Sequence, residues 1–336
     1  MLNPLPLYNL NPLLDLLWLG ALLALIPLGW LYWHQRRHTR WQKMQALRLL
    51  TLFLTFDLIL FGAFTRLTDS GLGCPDWPGC YGNSSPIGAH LEIAAAQSAM
   101  PSGPVTLSKA WIEMLHRYLA MAVGALIVVM TLLSWRDWHF QRHAGPSPTA
   151  PAVHPGWATL TLVWVCLQGA LGALTVTLKL FPAIVTLHLA AASVLLALLG
   201  WQVALGRVGS PALTLPGSTR RWTWLAAVLL GLQMLLGAWV SSNYAVLACN
   251  DFPTCQSQWW PTMDFQQGFS LWRPLGLNTN GEPITFAALT AIHYAHRLVA
   301  YLALGILAWL AWQLNHQTSA EHGGGILGPP RTRLGG

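Results

Sequence analysis

Gly62-Ala63-Phe64-Thr65-Arg66 leads into Cys74-Pro75-Asp76-Trp77-Pro78-Gly79-Cys80, and the passage returns as Gly237-Ala238-Trp239-Val240-Ser241 leading into Cys249-Asn250-Asp251-Phe252-Pro253-Thr254-Cys255. Each copy is an apolar helix running out into a loop with two cysteines. Each is followed by a His-Arg pair in a further apolar stretch, His116-Arg117 and His296-Arg297. Cysteines outside a membrane and a histidine inside it, present twice, point to a bound cofactor rather than to a simple anchor. The repeat predicts an all-α, polytopic transmembrane helical bundle with an internal pseudo-twofold repeat.

Composition agrees. The 336 residues are 54% hydrophobic and only 9% charged, where soluble domains carry about 25% charged residues. Apolar runs of roughly 20 residues are what a helix needs to cross a bilayer. Seven such spans are expected, near 12–33, 48–67, 112–134, 157–178, 183–205, 221–243 and 285–313. A tight turn from Lys179 to Pro182 makes the fourth and fifth a hairpin. The expected organisation is an extra amino-terminal helix with a basic loop (1–47), a first four-helix unit (48–206), an incomplete second unit (207–313) and a disordered cytoplasmic tail (314–336).

The net charge of +7 is not a nucleic-acid signal, because the basic residues cluster in short loops. Arg36, Arg37, Arg40 and Lys43 share one loop, Arg136 and Arg142 a second, Arg207, Arg220 and Arg221 a third. Under alternating topology these loops share a side, which the positive-inside rule makes cytoplasmic. The loops at 68–111 and 244–284, with the cysteines, then face outward. Residues 87–100 predict a short amphipathic helix, and 146–155 a loop. The 19 tryptophans, many near span ends, fit interfacial anchoring.

Outside the membrane the cysteines meet an oxidising compartment. Structural bridges, a redox-active pair and metal ligation are all open to them, and four outer cysteines allow three full pairings. Cys166, alone in a span, is expected to be a small buried hydrophobe. Among 12 histidines, His116, His188 and His296 lie deep in apolar helices, where an imidazole is a functional candidate by default. Two facing imidazoles can hold haem iron axially within a bundle, and His116 with His188 is the first such pair. Glu113 shares the helix face of His116, and pairs with Arg117 four residues on. Arg117 is also placed to meet a haem propionate. In the second copy His293 replaces Glu113. Gly169, Gly172 and Gly237 predict close helix packing, with Gln168 and Gln233 bonding between helices. Asp57 is a second intramembrane acid, expected in helix packing or proton movement. No P-loop, dinucleotide fingerprint, nucleophile elbow or zincin motif is present.

The run from Arg66 to Gly82, RLTDSGLGCPDWPGCYG, resembles the haem A synthase family, also called the cytochrome oxidase assembly protein family, in its proteobacterial type. The likeness continues through Pro101–Val105, Lys109–Tyr118 and Gln168–Val176, and covers roughly 48–310. It implies an inner-membrane haem-dependent oxidoreductase that converts the C8 methyl of haem O to the formyl group of haem A. It implies disulfide loops on the periplasmic side, and haem O synthase and oxidase assembly factors as partners. Carried over, His116 and His188 bind the substrate haem, Glu113 is the acid beside the first histidine, and His296 ligates a haem b. Arg117 and Arg297 are cofactor contacts, and the disulfide cysteines are Cys74, Cys80, Cys249 and Cys255. The family has eight spans. This chain adds one in front and is expected to lack the last two, with the second ligand of haem b; a homo-oligomer is one way to supply it. The competing reading is a non-catalytic haem-binding or oxidase-assembly protein, and a third is a quinone-linked disulfide protein.

Overall fold

A computed structural model describes residues 8–144, 153–207 and 216–323. Among these, seven helices are long and apolar enough to cross a membrane: α1 (Leu13–Gln35), α2 (Arg40–Leu67), α4 (Leu107–Ala144), α5 (Gly156–Thr177), α6 (Pro182–Leu205), α7 (Gly217–Ser242) and α9 (Phe286–Gly323). The chain is an all-α, multi-pass membrane protein. Two short helices, α3 (His90–Ala99) and α8 (Phe265–Gly268), lie in the loops that carry the cysteines. A two-residue strand β1 (Tyr8–Asn9) pairs in parallel with β2 (Trp77–Pro78).

The chain divides into two compact units. The first takes in α1 to α6 with Ser241–Tyr244 and Ser270–Ile284; the second takes in α7 to Val240, Ala245–Phe269 and α9. In the first unit α2, α4, α5 and α6 form a ring of neighbours, each packed on the next and α6 back on α2. The helices bearing His116 and His188, α4 and α6, therefore occupy opposite corners. Neighbouring helices pack about 8–10 Å apart, which leaves a diagonal wide enough for two facing side chains and a flat ligand. The extra helix α1 packs on α4 and α2. Its small stripe allows this: a Cβ on Gly20 would lie 2.5 Å from Met121 Cβ, so a side chain here would force the helices apart.

Local chemistry sets the element ends. At the α5–α6 turn Lys179 and Leu180 take left-handed φ values of 51° and 58°, and Pro182 opens α6 with its ring pre-set for the first turn. α2 starts eight residues before its expected span, so the basic loop shrinks. The reason is a capping box: Thr39 Oγ1 accepts the Gln42 N–H at 3.3 Å and Gln42 Oε1 accepts the Thr39 N–H at 2.9 Å. Thr39→Ala is expected to lower thermal stability by about 1 kcal/mol, read by circular dichroism in detergent, with Thr39→Ser restoring it.

Polar side chains tie the ring together, as apolar attraction between helices does little in lipid. Gln202 Nε2 donates to Thr161 Oγ1 at 2.8 Å, Trp164 Nε1 to the Ala191 carbonyl at 2.7 Å and Gln168 Nε2 to the His188 carbonyl at 3.0 Å.

Several expectations need correction. Cys166 is exposed, not buried, because the outer face of a membrane helix is apolar too. Asp57 is likewise exposed, on the outer face of α2, so it packs no helix within the unit. A Cβ on Gly169 would meet nothing within 4 Å; it is not a close-packing glycine. α4 extends beyond 112–134 at both ends, and α9 remains helical past 313 to Gly323, the last described residue. The tail from 324, and most of the 146–155 loop, lie outside the described residues.

Candidate functional site

The first cysteine loop closes as a disulfide between Cys74 and Cys80, with Cα atoms 4.9 Å apart. Asp76 organises its turn: its carboxylate accepts the N–H of Tyr81 at 2.6 Å and of Gly82 at 2.8 Å. Both amides belong to residues of positive φ, 49° at Tyr81 and 75° at Gly82. Arg117 reaches up from α4, and its Nη1 donates to the carbonyls of Asp76 and Pro78, both at 3.0 Å. Its Nη2 pairs with Glu113 Oε1, while Glu113 Oε2 accepts the Cys74 N–H at 2.8 Å. Glu113 is 4% exposed and Arg117 8% exposed. The ion pair is therefore buried, and all its strong donors and acceptors face the loop. Around the bridge Leu16, Ala89, Ile93, Ala110 and Met114 form a tight apolar cluster.

The second loop is built the same way. Cys249 and Cys255 are bridged, with Cα atoms 4.7 Å apart. Asp251 accepts the N–H of Gln256 at 2.7 Å and of Ser257 at 2.9 Å, again over two residues of positive φ, 57° and 59°. Arg297 donates to the carbonyls of Asp251, Thr254 and Cys249 at 2.6, 2.8 and 3.0 Å. The difference lies in its partner. Where Arg117 meets a carboxylate, Arg297 Nε donates to His293 Nε2 at 3.2 Å, and His293 Nδ1 faces the Ala245 carbonyl at 3.0 Å. Trp77–Pro78 and Phe252–Pro253 are both cis. Tyrosine hydroxyls hold the far end of each loop, Tyr118 on the Ser84 carbonyl at 2.7 Å and Tyr294 on the Trp259 carbonyl. Both arginines, expected as cofactor contacts, are here clamps on the loops. With both pairs bridged, these four cysteines offer no thiolate to a metal.

Below the loops the three deep histidines share one arrangement, which the sequence reading had not foreseen. Each imidazole lies edge-on against a glycine of the neighbouring helix. A Cβ on Gly62 would sit 3.0 Å from His116 Cε1, one on Gly172 3.2 Å from His188 Cε1, and one on Gly237 3.2 Å from His296 Cε1. Each glycine is followed by alanine, at Ala63, Ala173 and Ala238. The pair alone is no signal, because Gly-Ala recurs at Gly20, Gly88, Gly124 and Gly169, where no histidine is met. Two of the three glycines were read as sites of helix packing; the object packed is a histidine ring.

The buried Nδ1 atoms of His116, His188 and His296 have no hydrogen-bond partner. Such orphaned polar atoms are rare in stable interiors and mark rings placed for something other than packing. In the first unit neither Nε2 is hydrogen-bonded within the described structure, and the two histidines lie on diagonal helices. Residues of this kind fit a haem held from both faces. The second unit differs: Gln233 Nε2 lies 3.3 Å from His296 Nε2. His293 is turned to Arg297 and Ala245, so among the described residues His296 has no facing imidazole. Two-sided ligation of a haem does not fit the second unit as described. Nor do the described residues contain three or more His, Cys, Asp or Glu grouped for a metal ion.

A polar cluster stands at the outer end of α2, where Asp69 bonds to side chains distant in sequence. Arg66 Nη2 donates to the Ser241 carbonyl at 2.6 Å, and Tyr244 hydroxyl donates to Asp69. Each pair is separated by 175 residues, the offset of the repeat, so each joins a position to its own counterpart. Burial pushes the Asp69 carboxyl up, but bonds from Tyr244 and Lys109 and the charges of Lys109 and Arg66 outweigh it. The carboxyl is held below its ordinary range. Its contribution to stability is thus present at neutral pH and is lost as pH falls through that lowered value.

Comparison with known proteins adds an independent line. The family described as Cytochrome oxidase assembly protein matches residues 45–323. A protein of Shewanella oneidensis named Heme A synthase is 36% identical over 270 residues, covering 79% of this chain and 77% of that protein. Proteins of the same name from Halalkalibacterium halodurans and Alkalihalophilus pseudofirmus are each 26% identical. They align over 61% and 77% of this chain, and 62% and 72% of their own lengths.

Proposed function

The chain belongs to the cytochrome oxidase assembly protein family, and from that premise we propose that it is a haem A synthase. It is a multi-pass inner-membrane oxidoreductase with its disulfide loops on the periplasmic side. In this reading it oxidises the C8 methyl of haem O to the formyl group of haem A, for cytochrome oxidase biogenesis. The observation that carries the reading is the pair of glycine-seated imidazoles on diagonal helices, His116 on α4 and His188 on α6.

Haem O, the substrate, lies between these two rings, and when bound its iron supplies the oxygen chemistry. The chain supplies the rest. His116 and His188 would hold the haem, and the close approach of Gly62 and Gly172 fixes the planes of their rings. The surrounding helices exclude water from the reacting edge. Glu113, one turn before His116 on α4, is the acid of the site. It is tied to the Cys74 amide and to Arg117, so it holds the outer end of the pocket at a set distance from the ligand. A proton delivered from the periplasmic side would meet this carboxylate first. The Cys74–Cys80 bridge, with its loop clamped by Arg117, keeps that loop from opening the pocket to solvent.

The test is haem extraction from membranes of a host that makes haem O but lacks its own haem A synthase. The intact chain is expected to yield haem A, and His116→Ala and His188→Ala to yield none. A folded chain that retains haem O unconverted would favour the second reading, a haem-binding assembly protein. The absence of an imidazole facing His296 is the observation on that side, since it leaves no two-ligand site for an electron-carrying haem among the described residues. His296→Ala discriminates further: loss of conversion with first-unit haem retained would make His296 part of the electron path.

A further inference from the structure

At the end of the first unit opposite the Cys74 loop, α1, α2 and α4 part around a cavity of about 230 Å³. Its inner wall is apolar, made by Leu28 and Leu31 of α1, Met44 and Leu47 of α2, and Leu133 of α4. Its mouth is basic, carrying Arg40, Lys43 and Arg136. Among the described residues neither Arg40 nor Lys43 is paired with a carboxylate. Arg40 stacks over the Phe140 ring at 4.5 Å, Lys43 Nζ donates to the Arg36 carbonyl at 3.2 Å, and Arg136 shares the single acid of the site, Asp137, at 3.6 Å. Arg40 and Arg136 are exposed, so their guanidinium groups can turn onto a ligand.

The chemistry of this site is two-part: an excess of positive charge at one depth and a wall of branched and thioether side chains below it. The charges lie in the first turn of α2 and near the end of α4, on the side assigned to the cytoplasm and at the level of phosphate headgroups, and the wall lies at the level of acyl chains. We propose that this cavity binds an anionic phospholipid of the cytoplasmic leaflet, with its phosphate at Arg40, Lys43 and Arg136 and one acyl chain along Leu28, Leu31 and Leu133. A free phosphate would satisfy the mouth and leave the wall uncovered; a zwitterionic lipid would cover the wall and bring an ammonium group to a basic mouth. Basic pockets between transmembrane helices are suited to anionic headgroups. The site is not inherited from the family match, which begins at residue 45: the α1 wall and two of the three cations precede it. The lipid thereby joins α1 to the bundle, and the proposal is independent of any haem chemistry.

Native mass spectrometry of the full chain, released from bilayers of equal phosphatidylglycerol and phosphatidylcholine, tests it. One phosphatidylglycerol is expected to be retained at about tenfold higher occupancy than phosphatidylcholine, and excess inorganic phosphate should not displace it. Arg40→Gln/Lys43→Gln/Arg136→Gln should abolish the preference. Leu28→Trp, which fills the wall and keeps the charges, should lower retention of both lipids. Size-exclusion chromatography and circular dichroism check folding of each variant. If the triple variant does not fold, Arg136→Gln alone, at an exposed position, should still reduce the preference. Equal retention of the two lipids, displacement by inorganic phosphate, a preference unchanged in the charge variants, or retention unchanged in Leu28→Trp would each overturn the proposal.

Discussion

Gly172→Leu is expected to purify as a folded protein without haem in its first unit. A Cβ alone at this position stands 3.2 Å from His188 Cε1, tighter than an ordinary contact, and the rest of a leucine side chain extends into the ring's place. The imidazole must swing away, and a ring nitrogen displaced by even an ångström would no longer serve with His116 in holding the proposed haem. Overpacking of this kind costs about 1–3 kcal/mol, which a bundle of this size tolerates, so loss of haem and loss of fold separate. Gly62→Leu should act alike through His116, where the approach is 3.0 Å. Two other glycines serve as controls. Gly169, one turn earlier on α5, has nothing within 4 Å of its Cβ position, so Gly169→Leu should bind haem as the parent does. Gly237→Leu should disturb His296 and spare the first unit. Visible absorption spectra of the purified variants, normalised to protein, read all four. Normal haem in Gly172→Leu and Gly62→Leu would mean that the rings are not held by their glycines.

These glycines also show where the sequence could be read and where it could not. Spans were legible because crossing a bilayer demands a long apolar run, and all seven were expected. Their ends were less so, since an apolar window measures the membrane rather than the helix: α4 and α9 continue well past it, and the capping box at Thr39 and Gln42 starts α2 early. The loops were legible as a repeat, with Cys74, Cys80, Cys249 and Cys255 in register. Burial was not. Cys166 and Asp57 turned out to face outward, because in lipid an apolar neighbourhood exists on both sides of a helix and no longer marks the inside. The deep histidines stood out by the cost of placing them there. Their glycine seats did not, because a glycine in a membrane helix has many ordinary reasons to be present. The clamp roles of Arg117 and Arg297 were hidden for a different reason: a guanidinium near an interface can face lipid, cofactor or loop, and only the positions of the loop carbonyls decide between them.

Those clamps give the second large effect. Arg117→Met is expected to destabilise the first unit by about 3–5 kcal/mol, the usual consequence of stranding one member of a buried ion pair. Methionine keeps much of the stem and removes the charge, so the loss is electrostatic. Glu113 would remain 4% exposed with the Cys74 N–H as its nearest strong donor, and the carbonyls of Asp76 and Pro78 would lose their shared partner. Arg117→Lys should recover only part of this, because an ammonium cannot serve the carboxylate and the loop carbonyls with the geometry of a planar fork. Glu113→Gln/Arg117→Met should be more stable than Arg117→Met alone, since the amide carries no charge to strand. The second unit supplies an internal comparison. Arg297 contacts an imidazole rather than a carboxylate, and His293 can stay neutral, so Arg297→Met forfeits hydrogen bonds but strands no charge. About 1–2 kcal/mol is expected there. Thermal unfolding in detergent, with limited proteolysis of the two loops, measures both. Equal losses from Arg117→Met and Arg297→Met, or a double variant no better than the single, would show that the carbonyl contacts alone carry the clamp and that the Glu113 charge has no part in it.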